Sequence, residues 1–133
     1  MTTSNKPKCE HILHANGIHE FLLADSSIAS LEAYYQALAN LYQLRTADSP
    51  TMHVLLNSVG MEMPISYAMK RGKQLKDEYP DIGATHTAIL ADGFIEIRLV
   101  DSFMRVMRFP NTRVRFFRTS RRDDAVTWLL KGD

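Results

Sequence analysis

The sequence predicts one α/β domain built on a mixed sheet of four to five strands, with a leading hairpin and about four helices. Three observations carry that prediction. Apolar runs of strand length alternate with runs at helical spacing, in the order ββαβαβαβα. Asn16-Gly17 separates the apolar runs HILHA and IHEFLLA, and this dipeptide is the strongest short-range hairpin signal because both residues accept positive φ. Residues 52–79 read as a buried strand, a tight loop and an amphipathic helix. That is the half-unit from which open α/β sheets present a site at the strand's carboxyl end.

Taken in order, residues 1–9 are polar and are expected to form a disordered tail, with the domain occupying residues 10–133. A two-residue turn at Asn16-Gly17 predicts Ala15 opposite Ile18, His14 opposite His19 and Ile12 opposite Phe21. Asp25, Ser26 and Ser27 supply side-chain oxygens that cap a helix start. Ile28, Leu31, Tyr35, Leu38 and Leu41 then recur at helical spacing, which predicts a helix over residues 28–44. MHVLLN, beginning at Met52, lacks polar alternation, as expected of a strand covered on both faces. Pro64 suits a first helical position, and Ile65, Ala68, Met69, Gly72, Leu75 and Tyr79 form one stripe. Gly72 on that stripe predicts a close approach of the helix backbone to the sheet. Pro80 and Gly83 end the helix, and THTAIL from Thr85 reads as the next buried strand. Residues 94–108 alternate like a strand at first, but the longer window favours a helix. Thr112 opens a strand with Val114 and Phe116 on one face and Arg113 and Arg115 on the other. Ser120 and Asp123 fit a capping box before a short last helix bearing Ala125, Trp128 and Leu129.

A chain of 133 residues can bury a core without staples. Its net charge of +1 argues against a general nucleic-acid binder, which needs a clear positive excess. Cys9 is the only cysteine, so no internal disulfide forms and a reducing, cytoplasmic setting is expected. No apolar run approaches the roughly 18 residues of a membrane span.

The element order, with the ending FFRTSRRDDAVTWLL, resembles the STAS domain, named for sulfate transporters and anti-sigma-factor antagonists, and in particular STAS-like bacterial proteins. The resemblance implies a non-enzymatic regulatory module that binds a protein partner, with a homodimer as one form. Its working surface would be the loop and helix start after the central strand: Ser58, Gly60, Met61, Glu62, Met63 and Ser66 here. Bacterial antagonists of that type carry an Asp-Ser-Ser-Gly-like phosphorylation site. This chain has Met61-Glu62-Met63-Pro64-Ile65-Ser66 in that region, which lacks the acid. A small apolar ligand or lipid carrier, resembling CRAL-TRIO-type domains, is the alternative.

Other residues carry chemistry only weakly. Cys9, His11, His14 and His19 crowd the hairpin, but their spacing matches no established metal-ligand pattern, and a solvated or structural pair outweighs a metal site. His53 and His86 sit on predicted inner strands, where a hydrogen-bonded core histidine outweighs a general base. No nucleophile with an assigned partner is found, so neither catalytic residues nor a cofactor are expected. An arginine-rich tract offers Arg105, Arg108, Arg113 and Arg115 as an anion surface, against the plainer reading of a solvated face.

Overall fold

A computed structural model of the chain describes residues 8–58, 65–92 and 111–131. These residues form a five-stranded mixed sheet in the order β1-β2-β3-β4-β5. The strands are β1 (Cys9–Leu13), β2 (His19–Leu23), β3 (Met52–Asn57), β4 (Thr85–Leu90) and β5 (Thr112–Phe117). β1 pairs with β2 antiparallel, and every later step is parallel. Three α-helices lie among the described residues: α1 (Ile28–Tyr42), α2 (Ile65–Glu78) and α3 (Arg122–Lys131). The helix expected over 94–108 falls outside them, as does Pro64. β1 starts inside the expected tail, at Cys9, and the Lys8 carbonyl already accepts from the Ala24 amide at 2.9 Å.

The hairpin forms, but one residue out of the expected register. His11 faces Phe21 and Leu13 faces His19, so Ile12 meets Glu20 instead of Phe21. The His14 carbonyl accepts from the Gly17 amide at 3.0 Å, and Gly17 alone in the turn takes positive φ, at 89°. This is the three-residue loop that closes on a left-handed glycine, not a two-residue turn. Asn16 contributes through its side chain, whose Oδ1 accepts from the Ile18 amide at 3.1 Å. A one-residue shift exchanges the two faces of β1 relative to β2, and it decides which histidines meet.

Strand order advances in one direction from β2 to β4, so crossovers of a single hand place α1 and α2 on one face. Phe21, Leu23, Val54 and Leu56 pack there against Leu31, Tyr34, Tyr35 and Leu38 of α1 and Leu75 of α2. Ile18, Leu55, Ala88 and Leu90 form the other face and pack against Ala125, Trp128 and Leu129 of α3. β3 is thus covered on both sides, which explains its uninterrupted apolar run.

Local chemistry sets the helix starts. The Ser27 hydroxyl accepts from the Ser30 amide at 3.1 Å and caps α1, while Asp25 accepts from the Ser27 amide at 2.9 Å. Ile28 is exposed, and the buried stripe of α1 runs instead through Leu31, Tyr34, Tyr35, Leu38 and Tyr42. Before α3 a 3-10 turn, Thr119–Arg121, takes in Ser120, so that serine is not the cap its spacing suggested. Asp124 pairs with Arg121 instead.

Two glycines exchange their expected roles. A Cβ on Gly72 would meet only the Tyr35 hydroxyl, at 3.8 Å, so no close approach to the sheet requires glycine there. Gly83, expected only to end a helix, has φ of 80°, and a Cβ on it would lie 2.8 Å from the Ser49 carbonyl oxygen. Arg45 binds the same junction, donating to the carbonyls of Ile82 at 2.9 Å, Pro50 at 2.7 Å and Ala84 at 3.2 Å.

Candidate functional site

β2 to β5 run parallel, so their carboxyl ends share one rim, where α/β sheets usually place a ligand. Among the described residues, Asp25 and Asp92 stand at this rim, and both are occupied by local structure. Asp25 serves the start of α1, and hydrogen bonds from Ser27 and Ser30 lower its pKa to about 2. Asp92 accepts from the amide and the hydroxyl of Thr119, each at 3.2 Å. Ser58, expected on the working surface, is fully buried, and its amide donates to the Leu90 carbonyl at 3.1 Å. Its hydroxyl has no hydrogen-bond partner among the described residues. It lies at the floor of the rim. Ser66 is exposed in the first turn of α2. Gly60, Met61, Glu62 and Met63 lie outside the described residues.

The corrected hairpin register separates the histidines differently from the sequence expectation. His11 and His19, diagonal neighbours on one face, approach to 3.0 Å between Nε2 and Nδ1, and His11 stacks on Phe21. Burial lowers the pKa of both, and His11 and Arg45 lower His19 further. His14 projects to the other face. No group of three or more His, Cys, Asp or Glu side chains among the described residues is placed to hold a metal ion. Cys9 is half-buried, and burial pushes its thiol up to about 11, the opposite of activation.

The face that receives His14 holds a polar cluster that sequence reasoning missed. Glu20, 5% exposed at its side chain, accepts from His14 at 2.7 Å, Arg122 at 2.6 Å and Asn57 at 3.2 Å. Burial alone would raise its pKa. Hydrogen bonds from Arg122, His14 and Asn57 outweigh burial and hold it below the ordinary carboxylate value. The available signal was a glutamate inside the apolar run IHEFLLA, since a buried carboxylate requires partners. The cluster joins the hairpin, the central strand and α3, and its carboxylate is saturated.

His53 and His86 adjoin on the same face, with ring centroids 5.8 Å apart, and His86 also neighbours Trp128. Burial lowers the pKa of each, and His53 and Arg113 lower His86 further. Both are half-buried, and the buried Nδ1 of His86 has no hydrogen-bond partner among the described residues.

Beyond Trp128, β5 and α3 diverge to form a cleft of about 500 Å³. Arg115, Arg118, Arg121 and Lys131 line it together with Asp124. Arg115 lies over the Phe117 ring at 5.0 Å, a contact that orients its guanidinium. Of the expected anion surface, Arg113 and Arg115 share one exposed face of the edge strand, and Arg105 and Arg108 lie outside the described residues. Arg118 and Arg121 belonged to the arginine-rich tract without being singled out. Lys131 joins them only through the fold.

The opposite face of the sheet has an apolar cavity of about 100 Å³, with Tyr34, Tyr35, Leu38, Gly72, Thr87 and Val114 among its lining. Pockets for drug-sized ligands hold roughly 300–1,000 Å³, so this space is well short of a lipid.

No protein-family model matches the sequence, and neither curated proteins nor solved structures show a significant similarity to it. The reading of its function rests on its own residues.

Proposed function

We propose that the chain is a non-enzymatic, STAS-like regulatory module of bacterial type that works in the cytoplasm by protein–protein contact. Its working surface extends from the floor residue Ser58 across Gly60, Met61, Glu62 and Met63 to Ser66, and a second copy of the chain is one partner it fits. The observation that carries this reading is the central position of β3 in the sheet. β3 ends at the middle of the carboxyl rim, and Ser66 is exposed in the first turn of α2, the next described element. Met61 and Met63, between β3 and α2 in the sequence, supply flexible thioethers suited to an adaptable contact. The occupied rim acids, Asp25 and Asp92, accord with binding more readily than with acid–base turnover. A lipid-carrier role has less support, because the apolar cavity is too small for an acyl chain.

A Met61→Glu, Met63→Glu double variant tests the reading. Affinity capture with the wild-type chain and with the variant, compared by quantitative mass spectrometry, should lose its specific partner. The circular dichroism spectrum should be unchanged. An identical set of captured proteins from both chains would rule out the loop as the working surface.

A further inference from the structure

Among the described residues, four cations, Arg115, Arg118, Arg121 and Lys131, and one acid, Asp124, line the cleft between β5 and α3. Its net charge of three exceeds the +1 of the whole chain, so the remainder of the chain is net acidic. The net excess of positive charge is concentrated in this trough. All five of these side chains belong to exposed residues.

The shape of the trough selects the kind of anion. α3 starts beside the end of β5, and Trp128 reaches His86, the second residue of β4, so the helix runs back along the strands. Arg121 and Lys131 are ten residues apart along this stretch, which corresponds to about 15 Å of helix. A single phosphate cannot touch both ends. An extended peptide of about five residues, at about 3.3 Å per residue, spans that length. Single-stranded nucleic acid would also be long enough, but its affinity depends on aromatic faces on which bases stack. Trp128 is 7% exposed and one face of Phe117 lies under Arg115, which leaves half-buried Phe116 as the remaining ring among the described lining, short of the row of open faces that successive bases need.

We infer that this cleft binds a short acidic segment of a partner protein, with Arg115 and Arg118 receiving carboxylates from the strand side and Arg121 and Lys131 from the helix side. Asp124 holds Arg121 in the empty cleft and repels the incoming acid. The inference goes beyond the loop after β3, and either surface can fail without the other.

Fluorescence anisotropy of a labelled hexaglutamate peptide, titrated with the full chain, tests it. Binding should be saturable and should weaken as salt rises from about 0.05 to about 0.5 M. Arg115→Gln with Lys131→Gln should weaken it by about fivefold per charge removed, the scale of exposed ion pairs. Asp124→Asn should tighten it. Lys8→Gln with Lys70→Gln, an equal charge change away from the cleft, should leave it unaltered, as should the Met61→Glu, Met63→Glu variant. Absence of peptide binding, equal losses in the two paired glutamine variants, or tighter binding of labelled hexauridylate would each overturn the inference.

Discussion

On one face of the sheet, Phe21 meets Tyr34, and Tyr35 and Tyr42 continue the aromatic layer under α1 and α2. On the other, Ala88 and Ala125 let Leu55, Leu90, Leu129 and a single Trp128 close against α3. The aromatic face leaves about 100 Å³ unfilled, while a charged clasp, Glu20 with Arg122, bounds the small-residue face. Large rings bury much area but pack with gaps. Small residues allow a helix to sit close. The first face should therefore tolerate change, and the second should not.

The largest contrast is expected from leucine truncations. Leu129→Ala should cost about 4–5 kcal/mol, because it opens a new cavity at a fully buried site. Leu38→Ala, beside space that already exists, should cost nearer 2–3 kcal/mol. Equal losses in urea denaturation would break the comparison. Next comes the clasp. Arg122→Met leaves a buried carboxylate with fewer donors, and a loss of about 2 kcal/mol at neutral pH is expected. This is below the roughly 3–5 kcal/mol of a wholly buried pair, since Arg122 is 41% exposed. The folded-state pKa of Glu20 is depressed, so its stabilisation is complete above the ordinary value of 4.5 and is lost as pH falls through the folded pKa. The difference between wild type and Arg122→Met should accordingly shrink as denaturation is measured at lower pH below 4.5. A pH-independent difference would show that the arginine acts through packing alone. The smallest effect is a gain. Gly72→Ala places a methyl at ordinary contact distance, 3.8 Å from the Tyr35 hydroxyl, on the tolerant face and should stabilise the chain by up to about 1 kcal/mol, read as a rise in Tm.

The legible parts of this fold were those that local pattern determines. β3 and β4 lie where their apolar runs placed them, because a strand covered on both faces has no other composition available to it, and β5 lies where its alternation placed it. The hairpin was legible and its register was not. Asn16-Gly17 signals a turn, but the choice between a two- and a three-residue loop depends on whether Asn16 uses its backbone or its side chain. Here the side chain satisfies the Ile18 amide. Gly72 and Gly83 show the same limit, since what a missing Cβ permits depends on neighbours distant in sequence. The cleft was half legible. Arg113 and Arg115 could be assigned to one face of a strand by alternation, whereas Lys131 reaches Arg115 only because α3 folds back along β5. Glu20 was visible as an anomaly, but its principal partner, Arg122, is 102 positions away.

That separation also bears on how the chain is made. Among the described residues, Ala125, Trp128 and Leu129 of α3 complete the cover over Ile18, Leu55, Ala88 and Leu90 that Phe117 begins, so it is complete only once α3 has left the ribosome. A nascent chain that has already formed its hairpin and central strands would display an apolar sheet face bearing Glu20 with His14 and Asn57 but without Arg122. Domains completed by their last helix are exposed to misassembly during synthesis. The buried carboxylate, costly until Arg122 arrives, would discourage such a face from joining prematurely with another.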